Sequence, residues 1–194
     1  MAISAADFLR SLGFSRSIRT SMYRVDAERY RDVLEPLRHR LVERGKVPPS
    51  TRTVGLHDAP RDAVLQFYAA QIAHSPGDVE VPWPQTWSRK TMRSASVVLF
   101  DGNQVIGLGL TELIGQQAFV HYRIVAPEHR GGWANVVLCA EIAHRLQASG
   151  VRSVEFMSTT QTPDTQAMIE RYGSDCLRAQ DRYVLPLDPA HGLA

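Results

Sequence analysis

Long apolar runs are missing from this 194-residue chain; none approaches the roughly 18 residues that a membrane-spanning helix requires. The opening MAISAADFLRSLGFSR has no basic start followed by an apolar stretch and a small-residue cleavage site, so no secretory signal is read there. Cysteine is scarce. Cys139 and Cys176 stand apart, without a CxxC or a Cys/His cluster, which argues against a metal site and against a disulfide framework. These absences predict a cytoplasmic protein that uses no metal. Lysine is nearly absent as well, Lys46 and Lys90 being the exceptions among 22 basic residues. A net charge of +2 is too small to announce a nucleic-acid binder.

What charge asymmetry exists lies at the front. Residues 1–52 hold eleven basic residues against six acidic ones, a local +5, and leave −3 for the remainder. A solvated helix accounts for that bias. The aromatics that interleave with basic residues in a stacking platform are missing, so nucleic acid is not an expected partner. With 44% hydrophobic residues and a length that buries a core without staples, the chain is expected to be globular.

The periodicity divides the sequence into elements. Residues 4–12 read as a short helix ended by Gly13, and 18–25 as a strand. Asp26 caps a helix that runs to residue 44, with Pro36 expected to kink or break it. The stretch GKVPPSTR at 45–52 reads as a linker. Beyond it come a short strand at 53–56, a helix begun by Asp58 and Pro60, and a loop at 75–87 holding Pro82, Trp83, Pro84 and Trp87. Two apolar runs around Asp101-Gly102 form a hairpin signal, and AFVHYRIVAP supplies a third antiparallel strand. A helix from 133 to Gly150, a strand at 151–158, a helix at 162–173 and a last strand at 177–187 complete the order. Three meandering strands followed by a βαβ crossover predict an α/β fold with a mixed, predominantly antiparallel sheet and helices on its faces.

The residues with the clearest chemistry are Val125–Asn135, VAPEHRGGWAN. Here a strand ends, a basic loop with two glycines follows, and a long helix begins at once. Gly131 and Gly132 allow close approach of the backbone to a ligand. The unpaired N–H groups of the first helical turn point at that ligand with the helix dipole behind them. Arg130 adds a permanent cation, and His129 stands beside it. The construction suits a diphosphate, although a Gly-Gly ahead of a helix also serves as a plain tight turn.

In the order of its elements this segment resembles motif A of the GNAT acyltransferase superfamily, a V-x-P-x-x-R-G strand end followed by a glycine-containing turn and a helix. The resemblance spans roughly residues 53–186. It implies the acyl-CoA N-acyltransferase fold, with acetyl-CoA as co-substrate, no metal, and a small-molecule or peptide amine as acceptor. Against the superfamily pattern Q/R-x-x-G-x-G/A two registers fit. With Arg130 first, Trp133 and Asn135 take the small-residue places; with His129 first, Gly132 and Ala134 take them. The resemblance assigns Arg130, Gly131, Gly132, Trp133, Ala134 and Asn135 to the diphosphate, and the backbone of Ile124 and Val125 to the pantetheine arm where two strands splay apart.

Amine acylation needs a base for the attacking nitrogen and an acid for the departing thiolate. For the base the sequence offers Glu112 and, on the following strand, His121 or Tyr122. Strict alternation would send those two neighbours to opposite faces. Relatives draw the acid from a tyrosine in N-x-x-A-x-x-L-Y-x-x-x-G-F. With Thr165 at the Asn place Tyr172 is that tyrosine; with Thr162 there Ile169 replaces it. The tryptophan-containing loop at 75–94 is expected to line the acceptor site.

The chain also echoes itself. FLRSLGF and a strand near its start match MIERYGS and a strand 160 residues later, so residues 1–50 resemble the tail of a preceding GNAT-like unit. The expected layout is that extension, a GNAT domain at 51–188 and a tail at 189–194. The strand at 18–25 must pair somewhere, either in this chain's sheet or in a homodimer. The functional expectation is an N-acetyltransferase acting by direct attack; the alternative is a non-catalytic GNAT-like module that binds CoA or a partner.

Overall fold

The structure, a computed structural model, describes residues 4–72, 94–159 and 163–185. Trp83 and Trp87, Thr162 and the tail at 189–194 fall outside them. In chain order the elements are α1 (Ala5–Ser11), β1 (Ser15–Asp26), α2 (Ala27–Glu43), β2 (Thr51–Gly55), α3 (Arg61–Ile72), β3 (Val97–Asp101), β4 (Gln104–Ile114), β5 (Gln117–Val125), α4 (Trp133–Ala148), β6 (Ser153–Thr159), α5 (Pro163–Tyr172) and β7 (Asp175–Val184). Asp26 caps α2 as expected, its carboxylate accepting from the amides of Glu28 and Arg29 at 2.9 and 3.0 Å. Pro36 does not break that helix, which continues to Glu43.

The strands form one sheet in the order β2-β3-β4-β5-β6-β1-β7. All neighbours are antiparallel except β5 and β6, which α4 connects in parallel. The linker reading at 45–52 does not separate two cores, because β1 lies inside this sheet. It pairs with β6 from Thr20↔Thr159 to Asp26↔Ser153 and with β7 from Ser15↔Val184 to Arg24↔Asp175. Val25, Ala27, Tyr30 and Leu34 belong to the same buried cluster as β3, β4 and α4. The strand is thus satisfied on both edges within its own chain and calls for no second subunit.

The internal echo has a geometric counterpart. Each copy is a helix, a glycine with positive φ (Gly13 at 85°, Gly173 at 61°) and a strand, β1 beginning at Ser15 and β7 at Asp175. Glycine supplies that left-handed turn without the Cβ penalty. Paired antiparallel, the two strands relate the copies by a local two-fold.

Between β4 and α4 the sequence GLGL sets the spacing. A Cβ on Gly109 would stand 2.5 Å from Ile142 Cδ1 and 3.3 Å from its Cγ1, and one on Gly107 would lie 3.2 Å from Leu99 Cβ. Helix α4 therefore rests directly on bare backbone, burying Leu138, Ile142 and Leu146 completely. Gly109→Val overfills that contact, and a loss of about 1–3 kcal/mol is expected in urea unfolding. An unchanged midpoint would mean that α4 can lift off the sheet.

Candidate functional site

Strands β5 and β6 make the site by parting. Their parallel register runs from Gln117↔Ser153 to Val120↔Phe156 and stops, although β5 continues to Val125 and β6 to Thr159. The result is a fork in the sheet, with the turn before α4 at the far end of β5. Gly132 is the N-cap residue of α4, no side chain caps it, and the first turn carries no acid. The leading N–H groups of a 16-residue helix are therefore left for an outside acceptor. Gly131 has φ 68°, and no atom lies within 4 Å of where its Cβ would be. That uncapped helix end and the open space fit a diphosphate.

A cavity of about 170 Å³ opens from this turn. Gly131, Gly132 and Asn135 form one wall, Met168, Arg171 and Tyr172 of α5 another, and apolar side chains of α2 close it. Trp133 does not line it. The indole is partly buried against the core, its ring edge-on to His129 at 5.8 Å. Ala134 is fully buried and serves packing. Arg130 also turns away: its Nε donates to the Val125 carbonyl at 3.0 Å and its Nη2 to Gln71 Oε1 at 3.4 Å. The Arg130 side chain holds the loop against β5 and is not among the cavity's lining residues.

The backbone assignment on β5 shifts by one residue. The Ala126 amide donates to the Ile106 carbonyl at 2.9 Å. In an antiparallel ladder bonded pairs alternate, so Ile124, opposite Leu108, has its peptide groups turned to β4. Those of Arg123 and Val125 face the fork. Arg123 is the residue that sequence reasoning missed. An arginine two residues from the end of the strand, beside Ile124 and Val125, was the available signal.

On the other face the irregularity between Leu110↔Tyr122 and Thr111↔Val120 inserts His121 as an extra residue of β5. Leu110 and Glu112 share a face, and their partners Tyr122 and Phe119 share it with them. His121 joins that face: its Nε2 is 2.9 Å from Glu112 Oε2 and its ring 4.7 Å from Phe119. Tyr122 meets Tyr68 of α3 on the same side. The bulge thus overturns the expectation that His121 and Tyr122 look opposite ways. With side-chain exposures of 29% and 20%, His121 and Glu112 are within reach of solvent.

Tyr172 lies on the cavity side, 2% exposed, its ring edge-on to Tyr30 at 4.9 Å. Its hydroxyl is buried and has no hydrogen-bond partner among the described residues. Burial first, then the neighbouring Cys139, pushes its pKa well above the ordinary tyrosine range. Tyr30 is raised likewise, again chiefly by burial. A raised folded pKa contributes stability that is fully present below the unfolded value near 10 and is lost as pH climbs through the folded one. Thermal unfolding is therefore expected to show no pH dependence from these phenols near neutrality, where their contribution is complete, and a falling midpoint above about pH 10. Tyr172→Phe removes the orphaned hydroxyl; it should gain about 1 kcal/mol at neutral pH and flatten the alkaline fall. A loss of stability instead would mean that the hydroxyl has a partner.

Among the described residues no group of three or more His, Cys, Asp or Glu is placed to hold a metal, and no helix is long and apolar enough to cross a membrane. No family model matches the chain, and no curated protein does. Solved structures do. A GCN5-related N-acetyltransferase from Sphaerobacter thermophilus is similar at TM-score 0.63 and 16% identity over 92% of this chain and 54% of that one. One from Kribbella flavida gives TM-score 0.56 and 14% identity over 95% and 64%. A tandem GNAT protein from the clavulanic acid biosynthesis pathway gives 0.54 and 15% over 94% and 58%. This chain spans about half to two thirds of the length of these structures. Likeness at such identities is likeness of fold, and the fold of this chain is that of the GCN5-related N-acetyltransferases.

Proposed function

We propose that the chain is an acyl-CoA-dependent N-acyltransferase that moves a short acyl group, acetyl in the simplest case, from its CoA thioester to a primary amine by direct attack. The observation that carries the reading is the joint placement of an uncapped helix end, a fork in the sheet and a histidine–carboxylate pair on the far face of that fork. The backbone amides of Gly131, Gly132 and the first turn of α4, from Trp133 through Asn135, would hold the diphosphate, and the Val125 N–H would face the pantetheine arm, its carbonyl being held by Arg130. Acyl-CoA supplies the acyl group already activated as a thioester.

This chain's residues supply the proton handling. His121 holds Nε2–H toward Glu112, which leaves Nδ1 to take the proton from the attacking amine. Glu112 fixes the tautomer and offsets the charge that the ring gains. Tyr172, kept neutral by burial and facing the cavity, is the candidate donor to the departing sulfur. The acceptor is a small-molecule or peptide amine, and its approach is from the face that carries His121, Tyr122 and Tyr68. A cytoplasmic setting suits such chemistry, since acyl-CoA is an intracellular metabolite.

Titration calorimetry with acetyl-CoA followed by a thiol-release assay over a panel of amines tests the reading. Binding with amine-dependent thiol release is expected. Binding without release on any amine would favour a CoA-binding module, and absence of binding would remove both.

A further inference from the structure

Arg123, a half-buried cation on β5, has no carboxylate partner among the described residues. Arg123 extends from β5 across the fork to α5, where its Nη2 donates to Thr165 Oγ1 and its Nη1 to Met168 Sδ at 2.9 Å. Cys139 Sγ of α4 lies 3.8 Å from Nη1. Thr165 is itself buried. Among the described residues no carboxylate comes within ion-pair distance of this guanidinium. The contrast with other arginines is plain: Arg24 has Glu155 at 2.6 Å and Arg145 has Glu141 at 2.8 Å. Arginine stays charged at any working pH. Sulfurs and one hydroxyl are poor compensation for the water it has left. A guanidinium with these partners keeps its full charge and spare donors for an anion from outside.

Its neighbours say where that anion would come from. Asn135 Nδ2 shares Met168 Sδ at 3.5 Å, and both Asn135 and Met168 line the cavity that opens from the Gly131–Gly132 turn. Along β5 the order from that turn inward is Val125 and then Arg123, two residues or about 7 Å deeper into the fork. Arg123 and Thr165 stand behind Met168 and not in the cavity wall itself, so a ligand with its diphosphate on the turn would pass Val125 into the fork before its far end met the guanidinium.

We propose that Arg123, with Thr165, receives a carboxylate at the distal end of the acyl group, so that the donor this site prefers is the CoA thioester of a dicarboxylic acid, of the malonyl or succinyl kind. The inference rests on the acyl-CoA reading above and narrows its substrate class. The planar fork of the guanidinium matches a carboxylate with two parallel hydrogen bonds, and Thr165 adds a hydroxyl beside it. An acetyl group leaves the cation as it stands.

The test compares acetyl-CoA with succinyl-CoA by titration calorimetry on the full chain and on Arg123→Met, with thermal unfolding of both proteins. The full chain is expected to bind succinyl-CoA at least tenfold more tightly, and the ratio of the two affinities to fall toward one in Arg123→Met. The variant's thermal midpoint should stay level or rise, because methionine fills the same space without an unpaired charge. Equal affinity for the two thioesters in the full chain overturns the proposal. So does an equal weakening of both by the substitution, which would place the guanidinium on the diphosphate. A lowered midpoint with the ratio unchanged assigns Arg123 to the fold and overturns it too. If neither thioester binds the full chain, the acyl-CoA reading itself has failed, a result distinct from binding without preference.

Discussion

Gly132→Asp is expected to leave the fold intact, hold or slightly raise its thermal midpoint, and weaken acyl-CoA binding about 100-fold, the loss of one or two charge-assisted hydrogen bonds. Gly132 is the N-cap of α4 and has extended backbone, φ −119° and ψ −158°, which any residue adopts. A Cβ there would sit 3.6 Å from the His129 carbonyl, an ordinary contact. Aspartate in that place turns its carboxylate onto the amides of the second and third helical residues, and it interacts favourably with the helix dipole. The fold is stabilised by a few tenths of a kilocalorie per mole. Those same amides, however, are the ones a diphosphate would use. The side chain occupies them and sets a negative charge in front of them. Stability and ligand affinity therefore move in opposite directions, a result that general damage to the fold does not produce. Should the variant bind acetyl-CoA as tightly as the parent, the helix end is not the anion site. Calorimetric titration beside thermal unfolding reads both quantities.

His121→Ala is expected to lower kcat/KM for the amine by about 10²–10⁴, the usual worth of a positioned general base, while acyl-CoA affinity stays within experimental error. The separation follows from geometry: the histidine stands on the α3 face of the sheet, and the cavity on the face of α2, α4 and α5. Glu112→Gln keeps a hydrogen-bond acceptor at the ring but loses the charge that offsets imidazolium. It should show a smaller fall, carried by kcat. Equal activity of His121→Ala and the parent would sink the pair as the base and turn attention to the face shared by Tyr68 and Tyr122.

Legibility in the sequence varied with the range of the interaction concerned. The hairpin at Asp101-Gly102, the cap at Asp26 and the glycine turn into α4 were readable, because each is decided by a few adjacent residues. The same holds for the uncapped end of α4, whose glycines and lack of a capping side chain are consecutive. Pro36 was a local signal that misled, since α2 packs on α4 and continues past the lost hydrogen bond. Arg130 was misread for another reason: residue type alone does not tell whether a guanidinium faces a ligand or a carbonyl of its own loop.

Three further features were settled by contacts between distant segments. The alternation rule put His121 and Tyr122 on opposite faces, and a single extra residue against Thr111 brought them together. The strand at the front of the chain could have lain at an edge or in another subunit; it entered the middle of the sheet because β6 and β7 both offered it a partner. Arg123 reads as one more polar residue of β5 until Thr165 and Met168, more than 40 residues on, come against it.

Residue order by itself determined the inventory of helices and strands, the meander, the crossover and the uncapped helix that ends it, since neighbouring side chains and backbone preferences suffice for these. Only the tertiary structure decided where β1 pairs, which side chains share the fork, and that one of them is a cation with no carboxylate beside it among the described residues. Those outcomes depend on hydrogen-bond registers and burial between segments far apart in the chain, and periodicity within one segment carries no information about its partner.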